Sequence, residues 1–295
     1  MTSRPRPFFW LDVFTSEPLA GNGLAVVLDA DGLSDQTMLA FARETGLSET
    51  TFVQSPSVED ADYRNRIWTV SGEIPFAGHP SLGTAVAVAL AEGDAGRSAG
   101  GPDAEHSFRQ QTVVGVQTVE AALRDGAWSA SVHQEAAVFG DRFSGAGVAA
   151  ALGLDPAAMD PELSCQIVST GLPALLAPVA DAEALGRATP DFDRLRALHP
   201  SPSLNLYAFV YERGSRTVRA RCFGADLAGI EDPATGSAAG PLVAYLQDCL
   251  DIDRITVEQG VEMGRPSRIE ARMEAGRPRV SGAVTPVAGG TVHLP

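Results

Sequence analysis

Lysine is absent from the sequence, and all 22 basic residues are arginine. That excludes an internal Schiff base to pyridoxal phosphate, an aldolase-type amine nucleophile and a standard Walker A lysine. Cysteine is scarce: Cys165, Cys222 and Cys249 are odd in number, scattered and without CxxC spacing, which argues against a disulfide framework or a zinc knuckle. They read as reduced, mostly buried thiols. Positive charge is also short, with a formal net charge of −15 at pH 7. Nucleic acid and anionic membrane surfaces need a basic footprint and are not expected partners. Long apolar runs are missing too. The opening MTSRPRPFFW holds no signal-peptide core and AVAVALA is too short to span a bilayer, so a cytoplasmic location is expected.

What is present is enough apolar content, 44% of 295 residues, for one large core or two medium ones, and the length favours two lobes. The two halves share an ordered set of signals. GNGLAVVLDA (21–30) and TGLPALLAPV (170–179) each read as a glycine turn feeding an apolar strand. A polar helix follows, SDQTMLAFARETG from 34 and DFDRLRALHP from 191, then a strand, TTFV (50–53) and YAFV (207–210). RIWTV near 66 and TVRARCF near 217 continue the match, and both halves close on hairpins turning at Gly126 and Gly276. The order argues for a duplicated fold. The expected lobes are residues 1–125, completed by a last strand at about 285–295, and residues 126–284. The glycine-rich, acidic segment from 92 to 107 reads as an exposed loop.

Within this frame HPSLGTA (79–85) pairs with DPATGSA (232–238), each ahead of an alanine- and valine-rich helix. His79 before Pro80 and Asp232 before Pro233 read as capping residues followed by proline at the first helical position. Two helix starts meeting at a cleft between the lobes would hold an anion on free N–H groups, helped by the Ser81, Thr84 or Ser237 hydroxyl. A small carboxylate substrate fits such a site, and His79 and Asp232 could exchange protons with it without a cofactor. Metal binding is not expected, because the five histidines lie far apart in sequence. In GLSETTFV (46–53), Glu49 stands where a helix ends and a strand begins; burial there would raise its pKa into a useful acid/base range. A serine hydrolase is disfavoured, since GSAAG around Ser237 lacks the GxSxG spacing.

DVFTSEPLAGNGLAVV, GLSETTFV, IPFAGHPSLGTA, GIEDPATGSAAGPLVAYL and QGVEMGRPS stand in one order along nearly the whole chain and resemble the PhzF family, named for the phenazine-biosynthesis isomerase. The resemblance implies an α+β, diaminopimelate epimerase-like fold: two pseudo-symmetric lobes, each a β-barrel-like sheet around a central helix. It also implies a homodimer and a cofactor-independent isomerase. In epimerase relatives two cysteines, one per lobe, serve as acid and base; here Gly78, beside His79, and Asp232 stand at the corresponding places, so two-thiol racemisation is not expected. By resemblance Glu49 is the main acid/base, moving a proton between two carbons on one face of the substrate. His79, Asp232 and Ser237 would assist, while N–H groups near Gly78 and Gly236 would hold the carboxylate. The family's named reaction acts on a dihydro-hydroxyanthranilate. AGNG at 20–23 where AGNP is familiar, and Ser81 where threonine is common, are departures that reshape the pocket. The rival expectation is a non-catalytic binding protein that keeps the fold and the carboxylate site.

Overall fold

A computed structural model describes residues 4–94, 103–198, 204–224 and 231–295 of the chain. They fall into two units, residues 1–133 with 281–295 and residues 134–280. No helix among the described residues is long and apolar enough to cross a membrane.

In the first unit β1 (Pro5–Val13) pairs antiparallel with β2 (Asn22–Val27). The chain crosses over through α1 (Asp35–Thr45) to β3 (Glu49–Gln54), which lies parallel to β2. Local chemistry sets this helix's ends. Ser34, extended at φ −76° and ψ 154°, accepts from the Thr37 N–H, and Gly46 stops the helix at φ 63° with its N–H on the Ala42 carbonyl. Then β4 (Tyr63–Trp68) pairs antiparallel with β3 and with the short β5 (Glu73–Ile74). A second crossover, α2 (Gly78–Asp94), leads to β6 (Ala104–Thr112), parallel to β4. The hairpin of β7 (Gly115–Arg124) and β8 (Ala127–His133) follows β6. Asp125 and Gly126, at φ 49° and 77°, make its two-residue turn. The last strand, β17 (Arg277–His293), pairs with both β1 and β8. This closes a ring of eight strands, β1–β4, β6–β8 and β17. The first turns of α2 are buried from Gly78 to Ala87, with His79, Ser81 and Thr84 among the buried residues, and the helix packs against β1, β2, β3, β7 and β8.

The second unit runs β9 (Val138–Phe143), α3 (Gly145–Ala151), β10 (Cys165–Ser169), β11 (Pro173–Pro178), α4 (Ala182–Arg187), α5 (Phe192–Leu198), β12 (Asn205–Tyr211) and β13 (Thr217–Gly224). It continues through β14 (Glu231–Asp232), α6 (Gly236–Leu250), β15 (Arg254–Gln259) and β16 (Ser267–Glu274). Its ladders repeat those of the first unit. β10 pairs antiparallel with β11, β11 parallel with β12 across a helical crossover, β12 antiparallel with β13, and β13 antiparallel with β14 and parallel with β15. Val148, Leu152, Leu175, Leu185, Leu206 and Phe223 form much of its core.

The ladders also give the register of the repeat, and it corrects the pairing of motifs expected from the letters. Trp68 stands opposite Thr50 and Glu73, and Phe223 stands opposite Leu206 and Glu231. Leu24 stands opposite Glu49, and Ala174 opposite Asn205. The equivalent segments are therefore Glu73-Ile-Pro-Phe-Ala-Gly78 and Glu231-Asp-Pro-Ala-Thr-Gly236, and both glycines open their helices. HPSLGTA and DPATGSA are out of step by five residues: His79 is the counterpart of Ser237, and Asp232 of Ile74. Matching small residues drew the two strings together, whereas hydrogen bonds fix the true alignment. A repeated ion pair confirms it. Arg66 holds Glu73 through two bonds of 2.8 and 2.5 Å while lying over the Trp68 ring, and Arg221 holds Glu231 through bonds of 2.8 and 2.7 Å over Phe223.

The segment from 92 to 107 is not simply a loop. Glu92 and Gly93 still belong to α2, and residues 104–107 belong to β6, where exposure alternates along a strand backed by β7. Residues 95–102 lie outside the described residues, as do 199–203 and Gly229 and Ile230 ahead of the second motif. Cys165 and Cys222 are buried and Cys249 is exposed; all three are free thiols.

Candidate active site

In the first unit the parallel register of β2 and β3 brings two strand starts to one end of the sheet, with Asn22 opening β2 and Glu49 opening β3. His79, second residue of α2, meets both. Its Nε2 stands 3.5 Å from Glu49 Oε2, and its Nδ1 stands 3.2 Å from the Asn22 amide nitrogen. Asn22 is 1% exposed, His79 5% and the Glu49 side chain 13%. Burial pushes the His79 pKa down from 6.5 to about 3, so the ring is neutral at pH 7. The contact is thus a neutral imidazole against a carboxylate, not an ion pair.

The pH consequence follows by linkage. In the unfolded chain the imidazole takes up its proton near pH 6.5, in the folded chain only near 3. The unfolded state therefore binds more protons in that window, and stability falls as the pH drops through it, by up to about 1.4 kcal/mol per pH unit. Urea midpoints at about pH 7 and about pH 5 should show this loss, and His79→Asn should reduce it. An equal loss in the variant would assign the slope to other groups.

His79 does not cap its helix, contrary to the expectation from sequence. The Ser81 N–H reaches back 3.4 Å to the Ala77 carbonyl, which makes Ala77 the capping position, and Gly78 and His79 are already helical. Pro80 has no N–H. The Gly78 and His79 amides are therefore the two first-turn donors without an acceptor inside the helix, which suits an anion. Ser81, expected to bind substrate, is wholly buried; its hydroxyl donates to the Ala77 carbonyl at 2.9 Å and accepts from Gln110 Nε2 at 2.9 Å. Thr84 is likewise buried, 2.9 Å from the Thr51 hydroxyl.

In the second unit Asp232 is not a cap either. It ends β14, four residues before α6, whose capping position is Thr235 with no side-chain cap bond. The Thr235 N–H, the group an aspartate cap would take, is bonded instead to Gln259 Oε1 at 3.2 Å. Gln259 organises the whole segment. Its Nε2 donates to the Asp232 carbonyl at 2.7 Å and to the Thr235 hydroxyl at 2.9 Å, its Oε1 accepts from Tyr207 at 3.0 Å, and the Thr235 hydroxyl donates to Asp232 Oδ2 at 2.5 Å. Gly260 next to it has φ 75°, and an added Cβ would lie 2.6 Å from the Pro233 carbonyl, so only glycine lets that strand approach the motif. The Gly236 carbonyl accepts from Gln134 Nε2 at 2.9 Å. The Gly236 and Ser237 amides are the first-turn donors left over, and the Ser237 side chain is half-buried.

Glu49, Gly78 and His79 thus come together in the first unit, and Asp232, Gly236 and Ser237 in the second. Asn22, Thr235 and Gln259 were not singled out from sequence, although Asn22 lies between two glycines at a strand start in AGNG. Among the described residues no group of three or more His, Cys, Asp and Glu side chains gathers closely enough to hold a metal ion. An open depression of about 770 Å³ beside α3 and α5 contains none of the residues named in this site.

The fold is that of the epimerase-like proteins. A hydroxyproline epimerase from Agrobacterium vitis superimposes with a TM-score of 0.62 over 99% of this chain and 94% of its own, at 14% identity. The Bacillus anthracis phenazine biosynthesis protein of the PhzF family gives a TM-score of 0.81 at 26% identity, covering 98% and 99% of the two chains. Residues 11–293 match the PhzC-PhzF model, phenazine biosynthesis-like protein, and the chain belongs to that family. The trans-2,3-dihydro-3-hydroxyanthranilate isomerase of Pseudomonas aeruginosa is 38% identical over 275 residues, 92% of this chain and 91% of its own. The protein is an isomerase of this family.

Proposed function

We propose that the protein catalyses a cofactor-independent proton shift on a small unsaturated carboxylic acid, with Glu49 as the acid/base. The observation that carries this reading is the contact of Glu49 with the buried, neutral imidazole of His79, 3.5 Å away, beside the two free amides that open α2. Glu49 takes a proton from one carbon, the C–H electron pair becomes a new double bond to the middle carbon, and the pair of the old double bond moves to the far carbon, so the double bond shifts by one carbon. Glu49 then returns the same proton to the far end. One carboxylate serves both half-steps, and no oxidant or reductant is consumed. The Gly78 and His79 amides hold the substrate carboxylate. Ser81 is left out of this role because its hydroxyl is committed within the core.

Asp232, Gly236 and Ser237 enter the proposal as the second group of polar contacts on the substrate, with Asp232 accepting or relaying a proton. Asp232→Asn is expected to lower kcat by a smaller factor than loss of Glu49, read from steady-state kinetics. An unchanged kcat removes Asp232 from the mechanism.

The relative's substrate, trans-2,3-dihydro-3-hydroxyanthranilate, is the compound to test. Proton NMR in deuterated water should show its isomerisation, with solvent deuterium entering the product to the extent that the proton on Glu49 exchanges before return. If that compound does not react, a panel of other small amino and unsaturated carboxylic acids is scored for exchange of carbon-bound hydrogen. No exchange with any of them overturns the proposal in favour of a carboxylate-binding protein without turnover.

A further inference from the structure

Asn22 is buried to 1% exposure, and a buried amide is costly unless its polar atoms are bonded. Its amide nitrogen lies 3.2 Å from His79 Nδ1. An amide nitrogen can only donate, so Nδ1 is the acceptor and carries no proton. In a neutral ring the one proton then sits on Nε2, the atom that stands 3.5 Å from Glu49 Oε2 and has no hydrogen-bond partner. The two contacts of the ring are coupled: the identity of residue 22 decides what the imidazole presents to Glu49.

The duplicated architecture supplies an independent comparison. Leu24 and Ala174 are equivalent by register, so two residues earlier Asn22 corresponds to Leu172. Glu49 corresponds to Asn205 and His79 to Ser237. The second unit builds the same strand and helix starts without an amide at this position, so the fold does not require one. Asn22 accompanies the Glu49 and His79 pair, not the strand start as such.

We infer that Asn22 is a positioning residue that selects the Nε2-protonated tautomer of His79, so that the imidazole faces Glu49 and the reacting atoms as a hydrogen-bond donor and does not compete with Glu49 as a base. This rests on the proposed role of Glu49 only in its kinetic consequence; the tautomer itself is a property of the resting protein. In Asn22→Asp a carboxylate faces Nδ1 and draws a proton onto that atom. In Asn22→Leu, which installs the second unit's residue, the donor behind Nδ1 is gone and only Glu49 is left to favour a proton on Nε2.

The test is nitrogen-15 NMR of histidine-labelled protein near pH 7, with His79→Asn used to assign the signal. The wild type is expected to show an unprotonated Nδ1 and a protonated Nε2. A protonated Nδ1 in the wild type overturns the inference, whatever the variants do. Asn22→Asp should show protonated Nδ1; an unchanged wild-type signature in that folded variant overturns it as well. Where turnover is measurable, kcat should fall on the order of 10–100-fold with a smaller change in KM, the range carried by groups that orient a histidine from behind. Absence of turnover in the wild type would count against the proposed reaction and leave the tautomer result standing.

Discussion

Glu49→Gln is expected to fold as the wild type does and to lose turnover by on the order of 10²–10⁴, the contribution of a positioned general base. That factor corresponds to about 3–5 kcal/mol of transition-state stabilisation. The substitution keeps the shape at the start of β3 and breaks no hydrogen bond to His79 Nε2, so the local packing has no reason to change. What it removes is the ability to take a proton. Deuterium incorporation should vanish together with turnover, while KM moves little, because the Gly78 and His79 amides, proposed to hold the substrate carboxylate, are untouched. Turnover within a few-fold of wild type would place the base elsewhere, and Asp232→Asn would then be the variant to examine for the larger loss.

A large effect on stability is expected for Gly21→Ala. Gly21 sits at φ 61°, and a Cβ built there would lie 2.3 Å from the Val13 carbonyl and 2.8 Å from the Thr15 side chain. The left-handed conformation costs a non-glycine residue about 1–2 kcal/mol. Forcing backbone apart in a packed region adds typically about 1–3 kcal/mol. Together they give on the order of 2–5 kcal/mol, readable as a lowered urea midpoint. The same turn delivers Asn22 to His79, so residual folded protein should also turn over more slowly. Gly126→Ala is the comparison, since its φ of 77° carries the same backbone penalty but a Cβ there meets nothing within 4 Å. Equal losses in the two variants would show that the contact with Val13 is relieved at little cost.

Much of the architecture was legible because short-range chemistry writes it. Ser34 and Gly46 bracket α1 as cap residues should, and the turns at Gly126 and Gly276 need positive φ, at 77° and 81°. The duplication was legible as an order of signals. Its register was not, because small residues recur in HPSLGTA and DPATGSA while the decisive groups, Arg66 with Glu73 and Arg221 with Glu231, lie on neighbouring strands. The segment near 104 was misread because its period-2 pattern is carried by His106, Phe108 and Gln110, of which only Phe108 is plainly apolar.

By itself the sequence determined the chemical class: no lysine, sparse cysteine, an acidic chain, and family motifs running from Asp12 to Ser267. Tertiary structure alone decided which of those residues act together. Asn22, Glu49 and His79 are separated by up to 57 residues and meet because two parallel strands start at one end of a sheet and a helix starts beside them. Burial, which no local string encodes, then keeps the imidazole neutral, and the amide behind it sets which nitrogen carries the proton. Ser81 and Asp232 make the same point in reverse. Both carry the right atoms at plausible spacings, yet one is drawn into the core by Gln110 and the other is displaced from its helix because Gln259 takes the amide that it would have capped.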